Sequence, residues 1–262
     1  MKGIILAAGS GTRFNGAIHP KCLATFDERT LINIQLAALR ACGITDITVV
    51  VGFAADSVRV ACGPQVRFVE NTRFRETNSL YSLWLAQRVL DQGFVVMNCD
   101  VLFHPSMLVD LLTARHENAL LVAYPAAGDA EMSDEEMKVC VRRGLVVDID
   151  KNLPRRRIDG ENVGIVKFGC DGAAVMVEVL NEIVAAGGSR EWLPRAFAAF
   201  VERRPLHVID TRGFPWIEID FPEDYWRACS EVLPAIEAAA AGTSPPPAVR
   251  TSEQLGRTLR HV

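Results

Sequence analysis

The sequence predicts an α/β fold of three layers, in which a mixed, mostly parallel sheet has helices on both faces. Short β-branched runs alternate with helical stretches over the first half of the chain, and a glycine-rich turn follows the first run. With 262 residues, 49% of them hydrophobic, the chain can bury a core without a disulfide or a structural metal. We expect a single domain over residues 1–241 and a flexible tail over residues 242–262, which begins Gly-Thr-Ser-Pro-Pro-Pro.

The elements of the first half follow from hydrophobic periodicity and capping residues. Thr30 precedes a helix whose apolar residues share one face and which ends before Gly43. Asn78 and its neighbours cap a second helix that runs to about residue 90, and Pro105 opens a third that ends near residue 116. The predicted strands around them are the apolar runs at 2–7, 46–51, 66–69, 94–98 and 119–124.

The second half is expected to extend the same sheet and to cover its open edge. Short extended runs predict strands at 137–141, 145–149, 160–168, 206–210 and 216–220. Apolar residues at helical spacing predict helices at 173–186, 191–201 and 222–241. In the last strand, alternation places Glu218 and Asp220 on the same face.

Charge and cysteine content narrow the class of protein. The 28 Lys and Arg against 32 Asp and Glu give a net charge of -4, so we expect no nucleic-acid partner. No apolar run approaches the roughly 18 residues of a membrane helix, so no membrane partner is expected. Seven scattered cysteines with no CxxC pair predict reduced thiols and a cytoplasmic location. The oligomeric state stays open, with a homodimer among the alternatives.

The turn after the first strand is the most informative stretch, because its glycines allow backbone N–H groups to surround phosphate oxygens. It is not a dinucleotide fingerprint, since Phe14 stands where the third glycine belongs, and Ala17-Ile18 replaces the Lys and Ser/Thr of a P-loop. Arg13 and Lys21 flank the turn with positive charges that suit a triphosphate and a departing pyrophosphate. A tight strand-to-helix turn with a surface Arg and Lys is the alternative. The candidate nucleotide-binding residues here are Leu6, Ala7, Ala8, Gly9, Ser10, Gly11, Thr12, Arg13 and Lys21.

Two segments resemble a known superfamily. Residues 6–13 together with 20–23 are similar to the signature of nucleotidyltransferases that activate phosphorylated sugars and alcohols with an NTP, and residues 71–84 resemble the segment that marks the phosphocholine and phosphonate cytidylyltransferase branch. The resemblance covers about residues 1–228. It implies the Rossmann-like fold of the nucleotide-diphospho-sugar transferases, with a nucleotide-binding half over residues 1–125 and an acceptor-binding half over residues 126–241.

The resemblance also implies the activity. It is a Mg²⁺-dependent transfer of CMP from CTP, or of a nucleotide from another NTP, to a small phosphorylated or phosphonate alcohol or amine, with release of pyrophosphate. Lys21, Arg13 and Asp100 match the catalytic positions, and side chains near Asn78 and Ser82 match those that read the base. Asp100 follows the fourth predicted strand and matches one magnesium ligand. Asp220 matches the other, with Glu218 as a further candidate.

Two carboxylates with phosphate oxygens and water are a ligand set that magnesium accepts. A helix cap at Asp100 and a solvated strand face at Glu218 and Asp220 are the alternatives. No serine has a partnered histidine and the five histidines share no motif. A phosphate monoester is already largely dianionic near neutral pH, because its second pKa is about 6, so the acceptor can attack without a catalytic base.

The acceptor-binding residues are inferred from the resemblance and from the needs of the acceptor. Lys151 and the strand that contains Glu161 match the acceptor side of the family. A quaternary amine would need aromatic faces, for which Tyr81, Trp192, Trp216 and Tyr225 are candidates. Arg190 stands where the choline pattern has acids and aromatics, and if it faces the pocket, an acceptor that carries a second anion is favoured over phosphocholine.

Other functional classes remain as alternatives. A sugar-1-phosphate nucleotidyltransferase usually has a longer glycine loop. A glycosyltransferase of related fold would need a metal-binding DxD after the fourth strand, whereas Asp148-Ile149-Asp150 falls in the second half, where we expect a solvent-facing turn. A nucleotide-binding regulator without turnover would not require Arg13, Lys21 and the acids together.

Overall fold

Thirteen strands and nine α-helices form within residues 1–15, 19–125 and 134–240, the part of the chain that the computed structural model describes. The predicted tail at 242–262 lies outside these residues, as do Ala17 and Ile18. In chain order the strands are β1 Lys2–Ala7, β2 Thr25–Phe26, β3 Arg29–Thr30, β4 Ile47–Val51, β5 Arg67–Glu70, β6 Phe94–Asn98, β7 Val101–Phe103, β8 Ala119–Ala123, β9 Lys138–Arg142, β10 Leu145–Asp150, β11 Gly160–Phe168, β12 His207–Asp210 and β13 Trp216–Glu218.

The helices alternate with these strands in the first half and group together in the second. They are α1 Thr12–Asn15, α2 Leu31–Ala41, α3 Ala55–Cys62, α4 Ser79–Leu85, α5 Pro105–Thr113, α6 Cys170–Ala185, α7 Pro194–Val201, α8 Pro222–Arg227 and α9 Leu233–Ala240. A π-helical turn at Ala228–Val232 joins α8 to α9. The predicted helix at 222–241 is therefore continuous, with a π-helical segment in its middle.

One mixed sheet carries the fold, with the strand order β5-β4-β1-β6-β11-β8-β12-β10-β9. The strands β5, β4, β1 and β6 pair in parallel, whereas β11 runs antiparallel to both β6 and β8. In this sheet β10 and β11 run against the other strands, so the predicted mixed, mostly parallel sheet is confirmed. Two short pairs, β2 with β3 and β7 with β13, lie beside it.

Alternation along the strands builds an apolar layer on each face of the sheet. Ile4 and Leu6 of β1 face a layer formed with α4, α6 and α7, while Ile5 and Ala7 face a layer formed with α2, α3 and α5. A third, smaller cluster joins α8 and α9 to β13, β7 and the β2–β3 hairpin. The three-layer architecture with helices on both faces is therefore confirmed.

The longest apolar runs agree best with the predicted bounds, and the shortest elements have no predicted counterpart. β1, β6 and β11 coincide with the predicted strands, whereas β2, β3, β7 and α1 are too short for a periodicity to reveal them. Thr30 stands at the N-cap of α2, but its hydroxyl makes no capping bond among the described residues. His104 caps α5 by accepting a hydrogen bond from the Ser106 N–H at 3.1 Å.

The solvent-facing turn expected at Asp148–Asp150 is wrong. This segment lies within β10, which pairs with β9, and the Asp148 carboxylate accepts a hydrogen bond from Arg157 at 2.8 Å. A bulge between Val146 and Asp148 explains why its alternation is irregular. The DxD spacing here belongs to a strand with a structural ion pair.

Candidate active site

A cavity of about 340 Å³ opens at the carboxyl ends of β1 and β6. These strands are neighbours, with Leu6 opposite Asn98, so the turn after β1 and Asp100 after β6 come together at one edge of the sheet. Open α/β sheets place their ligands at this edge. The lining continues through the start of α4 and the end of β13, so residues from both halves of the chain face the same space.

The glycine turn lies directly beneath Lys21. Gly11 has a φ of +59°, a conformation that side chains rarely adopt, and a Cβ there would lie 2.7 Å from Lys21 Cγ. The missing side chain therefore allows the lysine stem to lie across the turn. The chain then continues into α1, where the Phe14 N–H donates to the Gly11 carbonyl at 3.0 Å.

Three carboxylates meet at the floor of the cavity. One oxygen each of Asp100, Glu218 and Asp220 lies within 4.8 Å of the others. Their approach depends on β13 pairing with β7 and on the Ile219 N–H, which donates to the Asp100 carbonyl at 2.9 Å. Asp100 Oδ1 is buried and has no hydrogen-bond partner among the described residues. An orphaned carboxylate oxygen beside two further carboxylates fits a divalent cation such as Mg²⁺.

Lys21 is the cation that this cluster now contacts. Its ammonium donates to Asp220 and lies 3.4 Å from Asp100 Oδ2. Burial would lower the pKa of Lys21, but Asp100 and Asp220 raise it above its ordinary value, so the ammonium stays charged. Burial raises the pKa of Asp100. The charge of Asp220 raises this pKa further, whereas the charge of Lys21 lowers it. Burial, Asp100 and Asp220 together raise the pKa of Glu218 well above its usual range.

Arg13, at the end of the glycine turn, forms ion pairs with Asp220 and with Glu135, a residue that no motif predicted. Its guanidinium donates to Asp220 at 3.0 Å and to Glu135 at 2.6 Å, and it lies 5.3 Å from the ring centroid of Phe221. Glu135 also accepts a hydrogen bond from the Lys151 ammonium at 3.1 Å. These ion pairs cross the cavity from the nucleotide side to the acceptor side.

The start of α4 is held by a buried amide. Asn71 donates to the hydroxyls of Thr77 and Ser82 at 3.0 and 3.1 Å. Asn78 caps the helix by accepting a hydrogen bond from the Ser79 N–H at 2.9 Å. The residues expected to read the base therefore stand on a fixed helix end that faces the cavity.

The acceptor side of the cavity contains an aromatic ring already covered by a cation. The Lys151 ammonium lies 5.3 Å from the ring centroid of Trp192, whose surface is 49% exposed. Asn162 of β11 lines the same region, and its side-chain oxygen accepts a hydrogen bond from the Gly164 N–H at 2.9 Å. Charge and hydrogen-bonding groups dominate here.

Most of the predicted site residues line this cavity. They are Leu6, Ala8, Gly9, Ser10, Gly11, Thr12, Arg13, Lys21, Asn78, Ser82, Asp100, Lys151, Trp192, Glu218 and Asp220. Six others lie outside its lining, namely Ala7, Tyr81, Glu161, Arg190, Trp216 and Tyr225.

The residues outside the lining have other partners. Tyr81 stacks on Trp84 with 5.1 Å between ring centroids, and Arg190 donates to the Glu76 carbonyl at 3.2 Å. Trp216 packs against the apolar layer beneath α2, α3 and α5. Ala7 faces the same layer because it alternates with Leu6 and Ala8. Glu161 precedes Asn162 in β11, and burial raises its pKa to about 8.

Several lining residues had no signal in the sequence. Glu135 is one acid in an acidic stretch, while Asn71 and Thr77 lie in the segment that resembles the cytidylyltransferase branch. Phe74, Met137, Asn162 and Pro194 have side chains that any fold could use in its core or surface. Met137, Asn162 and Pro194 could be recognised only from the structure, where the segments at β9, β11 and α7 line the same cavity as the glycine turn.

The comparison with protein families agrees with this geometry. Residues 3–193 match the model of the MobA-like NTP transferase domain, so the chain belongs to that family. The curated relatives include proteins named as cytidylyltransferases, as the resemblance of residues 71–84 predicts, and also a mannose-1-phosphate guanyltransferase. No helix within the described ranges has the length and apolar character needed to cross a membrane.

Two curated relatives show how far the similarity extends. The bifunctional IPC transferase and DIPP synthase of Rubrobacter xylanophilus is 33% identical over 92% of this chain and 53% of the relative. The choline-phosphate cytidylyltransferase of Streptococcus pneumoniae is 35% identical over 42% of this chain and 50% of the relative. The chain thus spans about half the length of each.

A solved structure supports the fold. The inositol-1-phosphate CTP transferase from T. maritima superposes with a TM-score of 0.74 at 22% identity. The superposition covers 93% of this chain and 97% of the T. maritima chain. At this identity the likeness concerns the fold alone, and it confirms the nucleotide-diphospho-sugar transferase type predicted from the sequence.

Proposed function

We propose that the chain is a Mg²⁺-dependent cytidylyltransferase that transfers CMP from CTP to the phosphate of a small alcohol and releases pyrophosphate. One observation carries the proposal: three carboxylates, Asp100, Glu218 and Asp220, meet Lys21 and Arg13 beside a glycine turn in one cavity. Acids for a divalent cation facing fixed cations for phosphate are what nucleotidyl transfer requires. The names of two relatives, a choline-phosphate cytidylyltransferase and a CTP:phosphoglutamine cytidylyltransferase, support CTP as the nucleotide.

We infer that one half of the chain binds the nucleotide and the other half binds the acceptor. The turn at Gly9–Arg13 and the start of α4 bind the nucleotide, and the region around Lys151 and Asn162 binds the acceptor. Asp100 and Asp220, with Glu218, hold the Mg²⁺. When bound, Mg²⁺ would polarise the α-phosphate and neutralise the charge that develops there.

The chain's own residues position the reaction. An oxygen of the acceptor phosphate attacks the α-phosphorus of CTP, and the new P–O bond forms as the bond to the bridging oxygen of the β-phosphate breaks. The electron pair leaves with pyrophosphate, and the dianionic acceptor needs no base to remove a proton. Lys21, kept protonated by its acidic neighbours, offsets the negative charge near the α-phosphate, and Arg13 binds the departing pyrophosphate.

The geometry of the acceptor side favours a neutral polyol over a quaternary amine. A quaternary ammonium head group needs an open aromatic face, but Lys151 lies over the face of Trp192. Its charge repels a cationic head group and suits the acceptor phosphate. A polyol phosphate of the inositol phosphate class agrees with the name of the T. maritima protein, an inositol-1-phosphate CTP transferase. Phosphocholine and aminoalkyl phosphonates are the competing acceptors.

A substrate panel tests the function. Pyrophosphate release is measured with each of the four NTPs against inositol 1-phosphate, phosphocholine, an aminoalkyl phosphonate and glucose 1-phosphate, with Mg²⁺ or with EDTA. We expect turnover with CTP and inositol 1-phosphate, and none with EDTA. Turnover of glucose 1-phosphate with another NTP would instead identify a sugar-1-phosphate nucleotidyltransferase.

Lys21→Met provides the matched test of the site. Removing one preorganised charge from the reacting phosphate is expected to lower kcat by roughly 10²–10³-fold, as for a single oxyanion-hole donor. Lys2→Met removes another paired lysine, which contacts Asp91 on the surface, and should keep wild-type kcat. Near-normal turnover of Lys21→Met would remove Lys21 from the mechanism.

A further inference from the structure

Glu135 connects the two substrate regions of the cavity through a single oxygen atom. Its Oε2 accepts a hydrogen bond from Arg13 Nη1 at 2.6 Å and another from Lys151 Nζ at 3.1 Å. Arg13 follows the glycine turn, and Lys151 follows β10 on the opposite side of the cavity. The proposed function gives these two cations different substrates, so one carboxylate is shared by a nucleotide-binding cation and an acceptor-binding cation.

The Glu135 carboxylate, which bridges Arg13 and Lys151, can be replaced by a phosphate group at both cations. The Glu135 side chain is 53% exposed, and neither cation is fully buried. Exposed ion pairs contribute little net stability, because water competes with them and two long side chains must be ordered. A triphosphate or a phosphate dianion carries more charge than one carboxylate and forms several charge-assisted hydrogen bonds at once. Phosphates therefore displace Glu135 from both partners.

The two partners have further contacts that keep them in place when the bridge opens. Arg13 also donates to Asp220 at 3.0 Å and lies over the ring of Phe221. Lys151 lies over the ring of Trp192. When Glu135 leaves, each cation stays within the cavity and is free to bind phosphate.

We propose that Glu135 couples nucleotide binding to acceptor binding. Resting on the proposed function, the inference is that a nucleoside triphosphate at Arg13 repels the Glu135 carboxylate from the shared position, which releases Lys151 for the acceptor phosphate. Without nucleotide, Glu135 competes with the acceptor for Lys151. Glu135 is thus a positioning residue that acts through Arg13 and Lys151.

Thermodynamic linkage makes the coupling measurable. If nucleotide tightens acceptor binding by some factor, the acceptor tightens nucleotide binding by the same factor. Replacing Glu135 by the neutral isostere glutamine removes the competing charge while keeping the side-chain length. Each substrate should then bind more tightly alone, and the coupling between them should disappear.

The experiment compares the wild type with Glu135→Gln by isothermal titration calorimetry in Mg²⁺. The probes are the α,β-methylene analogue of CTP, inorganic pyrophosphate and inositol 1-phosphate, the last titrated with and without the CTP analogue. For the wild type we expect the analogue to tighten inositol 1-phosphate binding by about 5-fold or more, the lower end of typical allosteric coupling. For Glu135→Gln we expect pyrophosphate to bind several-fold more tightly and the coupling to fall below about 2-fold.

Glu182→Gln is the matched control. Glu182 is also an exposed glutamate in an ion pair, with Arg203, and lies outside the cavity lining. It should leave all binding constants and the coupling at wild-type values. Thermal melting of both variants verifies that each is folded.

Two results overturn the inference. One is a wild-type protein in which both ligands bind without coupling, and the other is a Glu135→Gln variant with wild-type affinity for pyrophosphate and wild-type coupling. The pyrophosphate measurement depends on neither the base nor the acceptor, so it tests Glu135 even if the substrate panel identifies another acceptor. Failure of the proposed function is recognised separately, as absence of turnover with CTP in the panel.

Discussion

Individual residues in this protein owe their chemistry to their neighbours. Lys21 keeps its charge because Asp100 and Asp220 offset the cost of burying it, and it reaches them across a turn that only Gly11 leaves open. Glu161 shows the opposite case. Its carboxyl is buried in β11 opposite Lys138 of β9, and burial together with Glu136 raises its pKa to about 8 despite that lysine. Glu161 is therefore mostly protonated near neutral pH.

Glu161 gives the protein a pH-dependent stability with a definite sign. Its native pKa of about 8 exceeds its ordinary value of 4.5, so between these values the native state binds more protons than the unfolded state. The free energy of unfolding therefore falls as pH rises through this window, with a limiting contribution of about 1.4 kcal/mol per pH unit. Glu161→Gln mimics the protonated form and removes this contribution.

Urea unfolding of the wild type and Glu161→Gln from pH 5 to pH 9 measures the effect. The variant should gain stability relative to the wild type as pH rises, and the gain should level off above about pH 8. Glu182→Gln serves as control, because Arg203 lowers the pKa of Glu182 and this carboxylate does not titrate in that range. Parallel stability curves for the wild type and Glu161→Gln would contradict the assignment.

Among the elements, the short pair β7–β13 has the largest functional consequence. Its three residue pairs bring Glu218 opposite Val101, and the next backbone bond, from Ile219 to the Asp100 carbonyl, continues the pairing to the site. Ile219 itself is fully buried in the small cluster beneath α8 and α9. The position of Asp220 therefore depends on the apolar packing of its neighbour Ile219, directly after β13.

Ile219→Ala tests this dependence. Truncating a fully buried isoleucine should cost about 2–5 kcal/mol in the free energy of unfolding. Because Ile219 lies between Glu218 and Asp220, the substitution should also weaken binding of Mn²⁺, a paramagnetic substitute for Mg²⁺. Electron paramagnetic resonance measures this affinity.

Ile236→Ala provides the comparison, since Ile236 belongs to the same cluster but lies on α9. It should lower stability and keep the Mn²⁺ affinity. Equal loss of Mn²⁺ affinity in both variants would mean that general loosening of the cluster, rather than the local position of the acids, controls the metal site.

For the molecule as a whole, the active site joins distant parts of the chain. Residues 9–13, 100, 218 and 220 face one cavity because β1 and β6 lie side by side and the chain returns through β13 to the same edge. A ligand that contacts all of them binds only the folded state. Metal and nucleotide should therefore stabilise the fold as one unit.

Thermal melting measures this linkage. Mg²⁺ and the CTP analogue together, at about 100 times the dissociation constant, should add about 2.7 kcal/mol. For a domain of this size that corresponds to a rise in Tm of roughly 5–10 °C. EDTA should remove the metal-dependent part, and Asp100→Asn should show no metal-dependent part. An equal rise in Tm with EDTA, or in Asp100→Asn, would contradict a metal held by these acids.

The sequence alone determined the layers, the central strands and half of the site. β1, β6 and β11 are long, buried apolar runs, so their own residues specify both their type and their bounds. The glycine turn and Asp100 could be predicted because they follow such strands closely, and Lys21 because residues 20–23 resemble part of the nucleotidyltransferase signature.

Only the tertiary structure decided which distant side chains share the cavity. Glu135 reaches Arg13 from 122 residues away, and Lys21 reaches Asp220 across 199 residues. In contrast, the ring of Tyr81 stacks on Trp84, and the ring of Trp216 packs against the apolar core. An aromatic or acidic residue has the same local pattern whether it packs inward or faces a ligand, and the packing of non-neighbouring elements makes that choice.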